Sequence, residues 1–226
     1  MKKVISFSLW GDNPKYTIGA IENAKLAQEI YPGWDCYFFL GSSVTDNIQD
    51  RLLSIPNVVL FYKDHPGDWS GMFWRFETSY DLEVDISIFR DTDSRLSLRE
   101  KYAVDEWIQS DKTFHIMRDH PHHNFAILGG MFGTKKIPQL PSWSNVMKNF
   151  IQEGDRNYDQ NFLRDYIYPI IKNNSTIHAS FHKMESHAKN FPINYRRELY
   201  FVGEYVYHDN SRSDYHINEL KKSLNL

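Results

Sequence analysis

The 226-residue chain has one cysteine, Cys36, which rules out a disulfide between its own residues and a cysteine-rich zinc site. Long apolar runs are also missing: none approaches the roughly 20 residues that a membrane-spanning helix needs. Neither sign of charge dominates. Lys and Arg number 26 and Asp and Glu 29, a formal net charge of −3, and no basic stripe marks a nucleic-acid surface. The opening Met1–Trp10 carries Lys2 and Lys3, but its apolar run is too short for a signal peptide and reads as a strand. A cytoplasmic protein, or a soluble domain of something larger, is the expectation. No internal repeat, low-complexity segment or domain boundary stands out. Aromatics, by contrast, are plentiful at 15%, and such side chains suit nucleobase and sugar clefts as well as cores.

The stretch that organises the rest is Asp85–Arg95. A β-branched apolar run, Ile86–Phe89, stops at Asp91-Thr92-Asp93. Such a run reads as a central, buried strand, and the C-terminal ends of strands in an α/β sheet are where ligands bind. Two carboxylates delivered there are costly unless positive charge meets them. Mg²⁺ or Mn²⁺ carrying a nucleoside diphosphate is one such partner, because hard cations bridge carboxylates to phosphates. The plainer alternative is a turn in which the acids cap Ser94 and the helix after it.

Upstream, Val4–Leu9, Cys36–Leu40 and Val58–Tyr62 read as apolar strands. Between them, Lys15–Ile30 and Asp46–Ile55 show helical spacing, with Pro14 opening the first helix and Tyr31-Pro32-Gly33 stopping it. This alternation predicts a parallel sheet with right-handed crossovers, half of a nucleotide-binding fold. Met72–Tyr80 is predicted helical. It carries Arg75, which would reach a phosphate or pair at the surface with Glu77 or Asp81.

Downstream, Ser97 and Glu100 make a capping-box pattern for a helix over Leu98–Ser110. Phe114–Met117 reads as a strand. His120, His122 and His123 in the loop after it fit no zinc spacing, so contact with substrate or solvent is expected, and Asp119 is a candidate base. Ala126–Gly133 reads as a strand whose Gly129-Gly130 either floors an acceptor site or marks a bulge. Lys135–Trp143 is loop-like and Ser144–Gln152 a short helix. Tyr158 opens a helix to about Ile171, with Pro169 predicted to kink or break it and Asp159 at its N-cap or first turn. Ile177–His182 is extended, and His178 is a candidate metal ligand. The polar tail Asn210–Leu226 holds a short helix from His216.

Taken in order, these segments resemble the GT-A class of nucleotide-sugar glycosyltransferases over about residues 4–205. Val4–Leu9 with Asp12-Asn13-Pro14-Lys15-Tyr16 and Gly19-Ala20 looks like the opening of glycogenin-like enzymes, which implies donor contacts from Leu9, Trp10 and Tyr16. Asp91-Thr92-Asp93 takes the place of the Asp-x-Asp motif after an arginine-bearing helix. Gly129-Gly130 falls at the acceptor strand with His120 nearby, and Asp159-Gln160 looks like the Asp-Gln pair of the next helix. His178 falls where some members supply a metal histidine, with His182 or His187 as substitutes, although Ala179 replaces an aspartate expected after it. Phe73–Phe76, Arg90–Arg95, Arg118–Pro121 and Phe201–Glu204 are also similar to a less-studied group in bacteria and large viruses. The resemblance implies one GT-A-like α/β domain over 1–226, with a Rossmann-like, mostly parallel sheet flanked by helices and an acceptor-side extension. Residues of about 1–95 would bind nucleotide and about 96–205 acceptor, leaving 206–226 as a tail.

The chemistry so implied is transfer of a hexosyl or deoxyhexosyl group from a nucleotide-sugar, UDP-sugar by analogy, to a glycan or other hydroxyl acceptor. Asp91, Asp93 and His178 would hold Mn²⁺ or Mg²⁺, and Thr92 would lie beside the donor. Inversion of configuration would need a base, Asp119 or Asp159; retention would not. Two rivals remain. One is a nucleotide-sugar or carbohydrate binding protein without turnover. The other is a haloacid-dehalogenase-type phosphatase with a nucleophilic first aspartate. The phosphatase reading is the weaker, because the motif is mid-chain, Arg95 stands where Thr or Val is wanted, and no downstream lysine and acid follow.

Overall fold

Strand β1 (Lys3–Leu9) is buried along nearly its whole length because both of its faces are covered. On one face Ile5, Phe7 and Leu9 pack against Ala20, Ile21, Ala24 and Ala27 of helix α1 (Pro14–Ile30). Phe7 stacks on Phe38 at 4.7 Å. On the other, Val4 clusters with Tyr37, Phe39 and Val84. Strand β2 (Asp35–Gly41), helix α2 (Asp46–Leu53) and strand β3 (Val58–Lys63) continue the expected alternation. The computed structural model describes residues 1–136, 150 and 158–226.

Strand β4 (Ile86–Phe89) returns to the other side of β1, so the chain reverses its direction across the sheet between β1 and β4. Helix α3 (Leu98–Gln109) leads to β5 (Phe114–Arg118), β6 (Phe132–Lys135) and, later, β7 (Ser175–Ala179). The seven strands form one sheet in the order β3-β2-β1-β4-β6-β5-β7. All pairs are parallel except those of β6, which runs antiparallel to β4 and β5. This is the mostly parallel α/β sheet expected. The crevice beyond the C-terminal ends of β1 and β4 lies at the reversal point, where open sheets bind ligands.

Several local expectations are corrected. The segment before β4 is a 3-10 helix, Trp69–Ser79, rather than an α-helix. Two buried serines of β1 draw its backbone away from α-helical pairing. Ser8 Oγ accepts from Arg75 N at 2.9 Å and Ser6 Oγ donates to Arg75 O at 2.6 Å. The capping box of α3 is half made. Ser97 Oγ accepts from Glu100 N at 3.2 Å, but the Glu100 carboxylate turns inward to Arg90 Nε and Tyr31 OH, at 2.6 and 2.9 Å. Arg90 is buried at the end of β4 and needs that anion. Gly129 and Gly130 lie in a turn before β6, not in the strand, since only Phe132–Lys135 finds partners on β4. The helix from Tyr158 is a composite: α4 (Tyr158–Phe162), a π turn over Leu163–Ile167, then α5 (Tyr168–Ile171). The π turn lies just before Pro169, which cannot donate to the preceding turn. The loop expected over Lys135–Trp143 and the helix over Ser144–Gln152 lie, apart from Lys135, Lys136 and Phe150, outside the described residues.

The C-terminal segment is more than a tail. Val206 N donates to Asp93 O at 2.7 Å, and helix α6 (Asp214–Leu224) accepts from His120 Nε2 at its His216 carbonyl, at 3.0 Å. Among the described residues no helix is long and apolar enough to cross a membrane.

Candidate active site

A cavity of about 790 Å³ opens in this crevice. Its floor is the turn Asp91-Thr92-Asp93, and α1 builds that turn. Asn23, fully buried, donates to the carbonyls of Thr92 and Ser94 at 3.2 and 2.7 Å and accepts from Leu96 N at 3.0 Å. One helical turn earlier, Gly19 lies so close to Thr92 O that a Cβ there would collide with it. The capping alternative is not what the carboxylates do. Ser94 Oγ donates to the backbone carbonyl of Asp91 at 2.9 Å, and the cap of α3 is Ser97.

The two carboxylates instead meet cations. Asp91 pairs with Arg75, whose Nη2 also donates to Asp159 Oδ2 at 2.6 Å. Arg75, 5% exposed, therefore bridges two acids, while Glu77, its expected surface partner, pairs with Lys63. Asp93 pairs with Lys15 at 2.7 Å. The Lys15 ammonium lies over the rings of Tyr205 and Tyr16, at 4.4 and 5.1 Å. Burial, and then the neighbouring Asp91 charge, raise the pKa of Asp93 despite Lys15. Burial likewise raises that of Asp159, with Arg75 opposing. Among the described residues, five carboxylates line the cavity (Asp12, Asp68, Asp91, Asp93 and Asp159) against the guanidinium of Arg75.

Leu9, Trp10 and Tyr16 form the wall from β1 and α1, as the sequence places them. Trp10 is wedged against Gly41 and Gly67, neither with room for a Cβ beside it, lies tightly against Gly71, and meets Trp74 edge-on at 6.0 Å. Gly129 and Gly130 line the other wall. Their missing Cβ atoms make room for this chain's own charges: one at Gly130 would strike the Asp91 carboxylate, and one at Gly129 would strike Asp159 and Arg75. The close approach read from the glycine pair is thus an intramolecular one.

Three candidates lie elsewhere. Asp119 is fully buried outside the cavity. It accepts from Arg99 at 2.9 Å, Arg196 at 2.5 Å, Ser180 Oγ at 2.6 Å and Val202 N at 2.9 Å. Burial pushes its pKa up, but the two guanidiniums outweigh burial and hold it low, so it is a structural latch and no base. His120 is also buried, and its ring lies 4.2 Å from that of Phe201. His178 sits on β7, three strands beyond β4 and so about 14 Å away across the sheet. There it bonds His115 at 2.8 Å and Glu106 at 3.4 Å. His182 and His187 bond the carbonyls of Pro121 and Lys172 instead. Among the described residues no group of three or more His, Cys, Asp or Glu side chains is placed to hold a metal.

Sequence reasoning does not single out Asn23, gives Lys15 and Gly19 no role of their own, and expects of His123, which lines the cavity, only contact with substrate or solvent. A polar Asn and a Gly four residues apart on the buried stripe of α1 are the available signal.

No family model and no curated protein matches the chain. Solved structures do. A glycosyltransferase involved in glycosylation of the major capsid of PBCV-1 superposes with a TM-score of 0.53 at 13% identity, over 79% of this chain and 82% of that one. S. aureus TarS gives 0.54 at 12% identity, over 84% of this chain but 59% of TarS. TarS has also been solved in complex with UDP. The 4-diphosphocytidyl-2C-methyl-D-erythritol synthase of Anaerococcus prevotii gives 0.51 at 9% identity, over 85% and 91%. At such identities the likeness is one of fold.

Proposed function

From the premise that this chain has the fold of GT-A-type glycosyltransferases, we propose that it transfers a sugar from a nucleoside-diphosphate donor to a hydroxyl acceptor. The fold alone does not choose this reaction, since a synthase shares it; the site carries the reading. The deciding observation is the acidic cavity at the sheet's reversal point, where among the described residues five carboxylates face one guanidinium. A diphosphate enters such a cavity only in company with a cation.

Asp91 and Asp93 fit Mg²⁺ or Mn²⁺. They offer oxygen ligands from alternate residues of one turn, and burial, with the Asp91 charge beside it, keeps the pKa of Asp93 raised even with Lys15 in contact, so a further cation would be favoured there. With two protein carboxylates, the remaining ligands come from phosphate and water, and no histidine is needed. When bound, the ion would neutralise charge that develops on the leaving diphosphate.

The chain's own groups divide the remaining work. Leu9, Trp10 and the 39% exposed Tyr16 supply the surface for base and ribose. Lys15 exchanges Asp93 for a phosphate oxygen. Arg75, with both terminal nitrogens engaged, orients Asp91 and Asp159 and does not reach phosphate. Of the two carboxylates considered as base, only Asp159 lines the cavity.

UDP is the first nucleotide to test, by the resemblance and because TarS accepts it in a crystal. Calorimetric titration of UDP, GDP and dTDP, with and without Mn²⁺, into wild type and Asp93→Ala is expected to show one nucleotide binding only with metal and Asp93. Absence of binding by the folded protein contradicts the reading. Slow metal-dependent hydrolysis of the matching nucleotide-sugar would separate an enzyme from a binding protein with the same site.

A further inference from the structure

His123 lines the cavity with Leu128, Met131 and Gly203, and the reading above gives it no role. Its position descends from the Asp119 latch. With its carboxylate fixed by Arg99, Arg196, Ser180 and Val202, Asp119 directs its backbone N–H to His123 Nδ1 at 3.1 Å. The rings of His120 and Phe201 flank the imidazole, each at 5.7 Å. A ring nitrogen that accepts a backbone N–H carries its lone pair there, so the proton of the neutral ring is on Nε2. Burial, the largest influence, keeps the ring neutral, its pKa pushed down to about 3 although Asp119 pulls the other way. Among the described residues nothing bonds Nε2. His123 therefore offers the cavity a fixed, uncharged N–H and no lone pair with which to act as a base.

The chemistry of the partner follows from the surroundings. Leu128, Met131 and Gly203 add no charge beside His123, and the described lining of the cavity is acidic. A divalent cation carrying a diphosphate does not reverse that balance, so an anionic acceptor is repelled. We propose that His123 determines acceptor specificity, donating its Nε2–H to an oxygen of an uncharged, hydroxyl-rich acceptor, a neutral carbohydrate. This rests on the glycosyl-transfer reading above. Asp119, expected as a base, is then the positioning residue behind His123.

The test is side-chain ¹⁵N–¹H spectroscopy of the histidine-labelled full chain, with the His123 signal assigned through His123→Gln. In the free protein His123 is expected as the neutral Nε2–H tautomer at pH 7 and still at pH 5. An Nδ1–H tautomer, or an imidazolium at pH 6, overturns the proposal. With UDP and Mg²⁺ present, methyl hexopyranosides serve as neutral probes and methyl glucosiduronate as the anionic match. Neutral glycosides are expected to shift the Nε2 signal while the uronate does not. His123→Gln, which keeps an N–H near Nε2, should retain glycoside binding, and His123→Leu should weaken it about tenfold. Absence of any glycoside response, preference for the uronate, or an unchanged affinity in His123→Leu contradicts the proposal. UDP binding is measured in parallel. Its failure in wild type removes the glycosyl-transfer reading, whereas its persistence without a His123 response removes this inference alone.

Discussion

The two halves of the sheet are held together differently. From β3 to β4 the interior is a largely apolar cluster from Ile5 to Trp107; buried polar groups there, such as Ser6, Ser8 and Asn23, bond backbone, and a buried ion pair, Arg90 with Glu100, closes its edge at the end of β4. From β6 to β7 the interior keeps its apolar cluster but adds buried charge and imidazole: Arg118 with Glu185, Asp119 with Arg99 and Arg196, and His115 with His178. An apolar half tolerates any side chain of suitable size and shape, whereas each buried charge needs one particular partner. The cavity lies on the seam between them. Its wall of Leu9, Trp10 and Tyr16 comes from the half made by pattern, and its wall of His123, Gly129 and Gly130 from the half made by specific pairs.

The largest test of this contrast removes a partner from each half. Asp119→Ala leaves two guanidiniums facing a void and is expected to cost about 3–5 kcal/mol. Phe7→Ala should cost a similar 3–5 kcal/mol through its cavity. The difference lies in the rescue: Phe7→Leu restores most of the stability, while Asp119→Leu restores none, as urea denaturation would show.

Acid separates the halves next. Burial pushes the pKa of His178 and of His120 down to about 4, that of His123 to about 3, and that of His115 well below its usual value. The unfolded chain protonates these rings near 6.5 and the folded chain does not. Their contribution to stability is therefore full above that pH and is lost as pH falls below it, by about 1.4 kcal/mol per histidine per pH unit. Asp119, held low, adds to the loss below the ordinary carboxylate range. Asp93 and Asp159, raised, run the other way, between the ordinary carboxylate value and their raised ones. Hydrogen exchange at pH 7 and 5 should show β5 and β7 losing protection before β1 and β2; simultaneous loss would erase the contrast.

At the seam, Gly130→Ala should push the Asp91 carboxylate aside and cost metal-dependent nucleotide affinity about tenfold or more, with little change in melting temperature. The smallest effect is Ser97→Ala at the cap of α3, about 1 kcal/mol by thermal denaturation.

The same contrast explains what could be read from the sequence. The strands and helices of the apolar half follow from local periodicity, and the acidic turn announces itself where an apolar strand stops. The charged half depends on partners far apart in the chain. Arg118 meets Glu185 67 residues away, and Arg196 meets Asp119 77 away. No local pattern told whether Glu100 would cap its helix or neutralise Arg90, or whether Asp119 would face a cleft or two arginines. His178 is extended on a strand as read, but strand order, invisible in a single sequence, carries it to the far edge.

Crystals grown with UDP and Mn²⁺, with data collected at a wavelength where manganese scatters anomalously, test the central claim most directly. The account predicts one anomalous peak at about 2.0–2.2 Å from a carboxylate oxygen of Asp93 or Asp91 and from the diphosphate, with the uridine against Tyr16 and Trp10. Nucleotide bound in the cavity with no manganese at the aspartates, or manganese at His178, would contradict it.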